Sequence, residues 1–276
     1  MNITFIGGGN MAGALIGGLL AKGTCKKENL RVVEINPEAR AKLAAKFGVK
    51  CFQRPHDTLD RPGDIIVLAV KPQDARAAVQ NLGRSPDSNL IISIAAGIRL
   101  VSLSRWLGGH TRLVRAMPNT PALIGEGITG LYPLFHVQTA RNEQDRKDAE
   151  TILGAVSKTV WLQHEAQMDA VTAVSGSGPA YVFYFIEAVE QAAKELDLPP
   201  DVGHELALYT FTGAAKLAAT SPDPIGTLRE RVTSKGGTTE AALKSMAGDH
   251  VKEAIIRAIK AANERGRELG EELGKD

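Results

Sequence analysis

Only two cysteines occur among 276 residues, Cys25 and Cys51, and they stand far apart in no metal-like pair. They supply neither a disulfide framework nor a zinc site, so a reducing cytoplasm is the expected compartment and no metal is expected. No apolar run approaches the length of a membrane span, which argues against a bilayer protein. An excess of one charge is missing too: 33 Lys and Arg face 31 Asp and Glu, a net charge of +2, and no long basic run appears. Nucleic acid and acidic membrane surfaces are therefore not expected partners. Strand-like sequence begins three residues from Met1 and leaves no room for a secretory leader. What remains is a chain long enough for two domains and a small-molecule partner.

The most informative feature lies at the N-terminus. A short apolar run, NITFI, turns through Gly7, Gly8, Gly9, Asn10, Met11 and Ala12 into the helix-like AGALIGGLLAKG, and LRVVEI follows as a second strand ending at Glu34. Strand, G-x-G-x-x-A turn, helix and strand with a distal acidic residue form the dinucleotide-binding arrangement. Gly7 allows a tight reversal, Gly9 lets the backbone approach a pyrophosphate, and Ala12 is the small position where helix meets sheet. Unpaired amides at the helix start would face the phosphates. Glu34 can accept from a ribose 2′-hydroxyl and would repel a 2′-phosphate, which favours NADH, while Asn36 and Arg40 can still accommodate the phosphate of NADPH.

Apolar runs then alternate with helical patterns to about residue 120. A helix over Pro37 to Phe47, a strand DIIVLAV from Asp64, a helix from Pro72, a strand LIISIA, a helix through LVSLSRWLG and a strand RLVRAM follow in turn. GITGLYP and KTVWL add strands around a charged helix from Arg141 to Ser157. This predicts an α/β fold: a Rossmann-like parallel sheet with helices on both faces, over residues 1–163. From 164 to 276 strand-like runs disappear and Ala/Leu/Glu/Lys-rich stretches predict an all-helical domain. Its segment AYVFYFIEAV is apolar nearly all round and suits a helix buried on every side. One small bundle struggles to cover such a helix, so a second chain is expected to help; a central helix within a monomer is the alternative.

The C-terminal ends of the strands should line the cofactor cleft. Three loops fall there: Ala69, Val70 and Lys71 before Pro72; Ala95, Ala96 and Gly97; and Met117 to Pro121, with Asn119 and Thr120 held between prolines. Two polar, glycine-rich segments interrupt the helical half. VSGSGPAY contains Ser177 and places Pro179 near a first helical turn; TSKGGTTEAAL offers Gly237, Thr238 and Thr239, with a threonine as helix cap and Glu240 in the first turn. Clustered amides and hydroxyls of this kind can hold a small carboxylate.

The set GGGNMA, AVKPQ, MPNTP, SGSGPAY and TSKGGTTEAAL, in this order, resembles the pyrroline-5-carboxylate reductase family along essentially the whole chain. The resemblance implies reduction of L-1-pyrroline-5-carboxylate to L-proline by NADPH or NADH. It implies a Rossmann domain joined to a helical dimerisation domain, a homodimer, and further assembly as a ring of dimers. It places Gly7 to Ala12 at the pyrophosphate and Ala69 to Lys71 with Ala95 and Ala96 along the cofactor. Gly237, Thr238 and Thr239 would take the substrate carboxylate and ring nitrogen, with Thr239 the hydroxyl near the imine and Glu165 an acidic group near the substrate. Two positions depart from the family pattern: His56 and Arg231 stand where asparagines contact the cofactor. A β-hydroxyacid dehydrogenase shares the N-terminal pattern but needs a lysine four residues after the second glycine of its GxG segment, and Val182 stands there. A non-catalytic dinucleotide sensor would explain the first domain and leave TSKGGTTEAAL without a purpose.

Overall fold

The computed structural model describes residues 1–57, 65–82, 89–135 and 139–275, except the side chain of His56. The predicted contact of His56 and the predicted strand start at Asp64 lie outside what is described. In chain order the elements of the first part are β1 (Ile3–Ile6), α1 (Asn10–Ala21), β2 (Leu30–Val33), α2 (Pro37–Phe47), β3 (Lys50–Phe52), β4 (Ile65–Leu68), α3 (Ala75–Gln80), β5 (Leu90–Ser93), α4 (Leu100–Trp106), β6 (Leu113–Met117), β7 (Gly127–Pro133), α5 (Ala140–Leu153), β8 (Ser157–Trp161) and α6 (Gln167–Val171). Then come α7 (Gly178–Glu195), α8 (Pro200–Thr220), α9 (Ile225–Arg231), α10 (Thr238–Gly248) and α11 (Val251–Leu273).

The strands form one sheet in the order β3-β2-β1-β4-β5-β6-β7-β8. Neighbours are parallel except β6 and β7, which run antiparallel, so the expected parallel sheet carries one reversed pair. Alternate residues of the central strands point to opposite faces and build two core layers. Ile3, Phe5, Val32, Ile65, Val67, Leu90 and Ile92 join Leu15, Ile16 and Leu19 of α1 and Leu43 of α2. Ile6, Val33, Ile66, Leu68 and Ile91 join Val79 of α3 and Leu100 and Leu103 of α4. Burial on both faces is why these strands read as unbroken apolar runs. Strand order reverses between β1 and β4, and a crevice at such a switch point, outside the carboxyl ends of the strands, is where ligands bind in open α/β sheets.

Four details differ from the sequence expectation. The charged helix expected to run to Ser157 ends at Leu153, and Ser157 opens β8. β2 stops at Val33, so Glu34 lies just beyond the strand. The helix expected from Pro72 opens as a 3₁₀ turn, Pro72–Asp74, before α3. β3 went unread because it is three residues at the sheet edge with Lys50 exposed.

The chain divides into two compact units, Met1–Ser177 with Ala262–Asp276, and Gly178–Ala261. The stretch Glu165–Ser177 and the end of α11 thus belong with the sheet. Gly270 lies so near the Gly97 carbonyl that a Cβ would stand 3.0 Å from its oxygen, and Leu273 packs on the second core layer. Within the helical unit α7 packs on α8, where Ala193 and Gly203 meet closely. The expected burial of α7 on every side is not met within the chain. Phe183 is 61% and Tyr184 70% exposed. On α8, Tyr209 is likewise 71% exposed.

Candidate functional site

Each glycine of the N-terminal turn has a different cause. Gly7 adopts φ +99°, and a Cβ there would lie 2.6 Å from the Ala69 carbonyl oxygen, so the end of β1 can sit against the end of β4 only without a side chain. Gly8 is held close to Leu43, with a Cβ at 2.5 Å from its Cδ1. A Cβ on Gly9 would meet nothing within 4 Å. Among the described residues no atom demands a glycine at that position, which is what a surface left bare for close approach of a ligand requires. The first hydrogen bond of α1 runs from the Gly13 amide to the Gly9 carbonyl at 2.9 Å. The amides of Asn10, Met11 and Ala12 therefore have no partner inside the helix and present its positive end. Ala12 itself is buried in the first core layer.

Glu34 closes this corner. Its carboxylate accepts the Gly8 amide through Oε2 at 2.8 Å and the Asn36 amide through Oε1 at 2.8 Å. Asn36 caps α2 by accepting from the Ala39 amide at 3.0 Å. Arg40 donates to the carbonyls of Glu34 and Ile35, at 2.6 and 2.9 Å. Glu34 thus braces the turn besides facing outward, and each oxygen keeps a second acceptor site for a hydroxyl. Burial pushes up the thiols of Cys51, against the opposing effect of Arg40, and of Cys25, so neither is poised as a nucleophile.

The other strand-end residues of the first unit gather on the same edge of the sheet. Ala69 and Val70 follow β4 beside Gly7, and Lys71 is exposed at the start of the 3₁₀ turn. Ala95 is buried and Ala96 half-buried after β5. Asn119 follows β6, but both ends of its amide bond the protein: Oδ1 accepts from the Ile128 amide at 2.9 Å and Nδ2 donates to the Ser175 carbonyl at 3.2 Å.

Glu165 uses one oxygen for structure. Oε1 accepts from the Leu100 amide, at the start of α4, at 2.7 Å and from the Arg115 guanidinium at 3.1 Å. Arg115, whose side chain is 3% exposed, also reaches Asp169 at 3.7 Å. Sequence reasoning missed Arg115 and Asp169, although an arginine inside the apolar strand LVRAM needs a buried partner and could have signalled one. Beyond α6 the chain makes a π-helical stretch, Thr172–Gly176, closed by the Ser177 amide donating to the Thr172 carbonyl at 2.8 Å. π-Helical turns recur at functional sites.

In the helical unit, the expected threonine cap of α10 is absent. Gly237 is the N-cap, because the helix starts at Thr238, one residue earlier than a Thr238 cap and two earlier than a Thr239 cap would require. Glu240 reaches back to the Gly236 amide at 2.6 Å. The first helical bond runs from Ala241 to Gly237 at 3.2 Å, so the amides of Thr238, Thr239 and Glu240 lack helical partners. Arg231 pairs with Asp223. Among the described residues no group of three or more His, Cys, Asp and Glu has metal-binding geometry, and no helix is long and apolar enough to cross a membrane.

The family model for pyrroline-5-carboxylate reductase dimerisation matches residues 165–269, and one for coenzyme F420-dependent NADP oxidoreductases matches residues 2–97. The pyrroline-5-carboxylate reductase of Pseudomonas aeruginosa is 44% identical over 274 residues, covering 99% of this chain and 98% of the relative. That of Pasteurella multocida is 41% identical, covering 97% of each. Among solved structures, a pyrroline-5-carboxylate reductase from Coxiella burnetii superposes with a TM-score of 0.86 at 36% identity, covering 97% of this chain and 98% of that one. The enzyme from Plasmodium falciparum, solved with NADP bound, gives 0.85 at 29% identity over 98% of each. Likeness of this strength over the full length of both partners places the chain in the pyrroline-5-carboxylate reductase family.

Proposed function

We propose that the protein reduces L-1-pyrroline-5-carboxylate to L-proline with a reduced nicotinamide dinucleotide. The observation that carries this reading is the bare helix N-terminus at Gly9–Ala12, on the switch point of the sheet, in a chain of this family throughout. Its three free amides fit a pyrophosphate. Gly7 to Ala12 hold it, with Glu34 and Asn36 toward the adenosine ribose and Ala69, Val70, Lys71, Ala95 and Ala96 along the rest. The bound cofactor supplies the hydride that forms a C–H bond at C5 of the imine, whose C=N electron pair passes to the ring nitrogen.

The second helix N-terminus, at Gly237–Glu240, takes the substrate carboxylate on its free amides, and Thr239 orients the ring nitrogen. A protonated iminium is already electrophilic, so these groups act by positioning and electrostatics, with no strong acid required. Glu165 keeps Oε2 free of bonds to the described residues, and the Ser177 hydroxyl is free in the same sense. Both therefore remain available to substrate. The exposed faces of α7 and α8 are covered by a second copy, making a homodimer, the unit from which a ring of dimers is built; a monomeric mass in solution scattering would overturn the dimer. The cytoplasm is the compartment proposed, and the two cysteines are free.

One assay tests the activity: NADH or NADPH oxidation followed with and without pyrroline-5-carboxylate. Imine-dependent oxidation is expected, and binding of cofactor without it would favour a sensor. Glu34 repels a 2′-phosphate, so kcat/KM with NADH should equal or exceed that with NADPH; a strong NADPH preference would sink this role. Thr239→Val should lower kcat/KM for the imine by about tenfold or more, the worth of an orienting hydrogen bond to a charged group. Unchanged kcat and KM would remove Thr239 from the site.

A further inference from the structure

The geometry points to Asn119 as a positioning residue that fastens the π-helical stretch before Ser177 to the end of β6, and so sets the substrate grip. This rests on the reading of Ser177 as a substrate contact. The starting point is a carbonyl whose α-helical donor is missing. In an α-helix the Ser175 carbonyl would accept from the residue four positions on, and that residue is Pro179, which has no N–H. The chain here is π-helical, with the Ser175 hydroxyl turned back to the Val171 carbonyl at 2.9 Å.

The Asn119 amide serves that carbonyl at 3.2 Å. Its other end accepts from the Ile128 amide at 2.9 Å, so the side chain spans from the first residues of β7 to the π turn. The partners fix its orientation, because Oδ1 must face an N–H and Nδ2 a carbonyl. A second contact joins the same elements: a Cβ on Gly176 would stand 2.6 Å from the Met117 methyl, so the turn lies directly on the last residue of β6. Asn119 is the polar half of this junction and Met117 the apolar half. The amide that looked in sequence like a cofactor contact holds the protein to itself through one of its two N–H groups and one lone pair of its oxygen. No side chain of similar size supplies a donor and an acceptor in that planar geometry. Aspartate keeps the acceptor for Ile128 and loses the donor for Ser175.

The test uses Asn119→Asp, Pro179→Ala and the double variant in the full chain, each assayed with pyrroline-5-carboxylate and titrated with NADH and NADPH by cofactor fluorescence. N119D should lose about tenfold in kcat/KM for the imine, the cost of stranding a partly buried carbonyl, while the cofactor Kd stays within about twofold of wild type. P179A restores an N–H opposite Ser175, so the loss caused by N119D should be smaller in the P179A background, a coupling that a mere packing defect would not show. Should N119D fail to fold, Asn119→Ser enters the same cycle. An unchanged kcat/KM, a cofactor Kd that rises in step with the loss, or full additivity with P179A would each overturn the proposal. A wild-type chain without imine-dependent oxidation would instead bring down the functional reading on which it rests.

Discussion

Alanine at Gly7 is expected to destroy the first unit as a binding domain. The new Cβ would stand 2.6 Å from the Ala69 carbonyl oxygen and 2.8 Å from its carbon, at a φ of +99°. Both atoms are backbone just past β4, fixed by the Ala69 amide bond to the Ile6 carbonyl at 2.8 Å, so no side-chain rotation relieves the clash. Overpacking and the left-handed strain together should cost about 3–5 kcal/mol. Chemical denaturation should show that loss, and cofactor binding should become undetectable. Gly9→Ala is the informative contrast. Its Cβ meets no protein atom within 4 Å, so stability should stay near wild type while cofactor affinity falls. Equal destabilisation by the two variants would refute the assignment of Gly9 to the ligand.

The second large effect is expected at Arg115. Its guanidinium is 3% exposed and holds Glu165 and Asp169, whose side chains are 22% and 14% exposed. Arg115→Met keeps the length of the side chain but leaves two nearly buried carboxylates without their cation. Removing one partner of a buried ion pair costs about 3–5 kcal/mol, far above the value of exposed pairs such as those along α11. Glu165 would also lose the bond that, with the Leu100 amide, fixes its orientation. Arg115→Lys, which keeps charge but loses the fork, should recover part of the stability. A methionine variant as stable as wild type would show the network to be dispensable.

How much of this was legible in sequence depends on how local each signal is. α2 was read with its observed boundaries because its signals lie in neighbouring residues: the Asn36 cap, Pro37 at the first turn, and Gly48 at φ +66° after the end. The alternation that built the sheet was legible because burial on both faces leaves long apolar runs. β3 was invisible, since three half-exposed residues become a strand only by pairing with β2. The acidic residue just beyond β2 was recognised, yet its hold on the Gly8 amide joins residues 26 apart and has no local trace. Asn119 and Glu165 were singled out as polar residues in the right loops. Their partners Ser175 and Arg115 lie 56 and 50 residues away, and only the fold reveals that they are met. The surface of α7 shows the same limit: its apolar composition was plain, but which flanks this chain leaves bare is a property of packing.

The return of α11 to the sheet changes what the chain can lose. Gly270 rests on Gly97, and the Arg105 guanidinium donates to the Gly274 carbonyl at 2.8 Å. The helical unit Gly178–Ala261 is therefore an insertion into the dinucleotide unit, entered and left through segments that the sheet itself needs. No single cut frees the nucleotide-binding half intact. Truncation after Gln163 would strip Arg115 of both carboxylates and take Leu273 from the second core layer, so the sheet that carries the glycine turn leans on the far end of the chain.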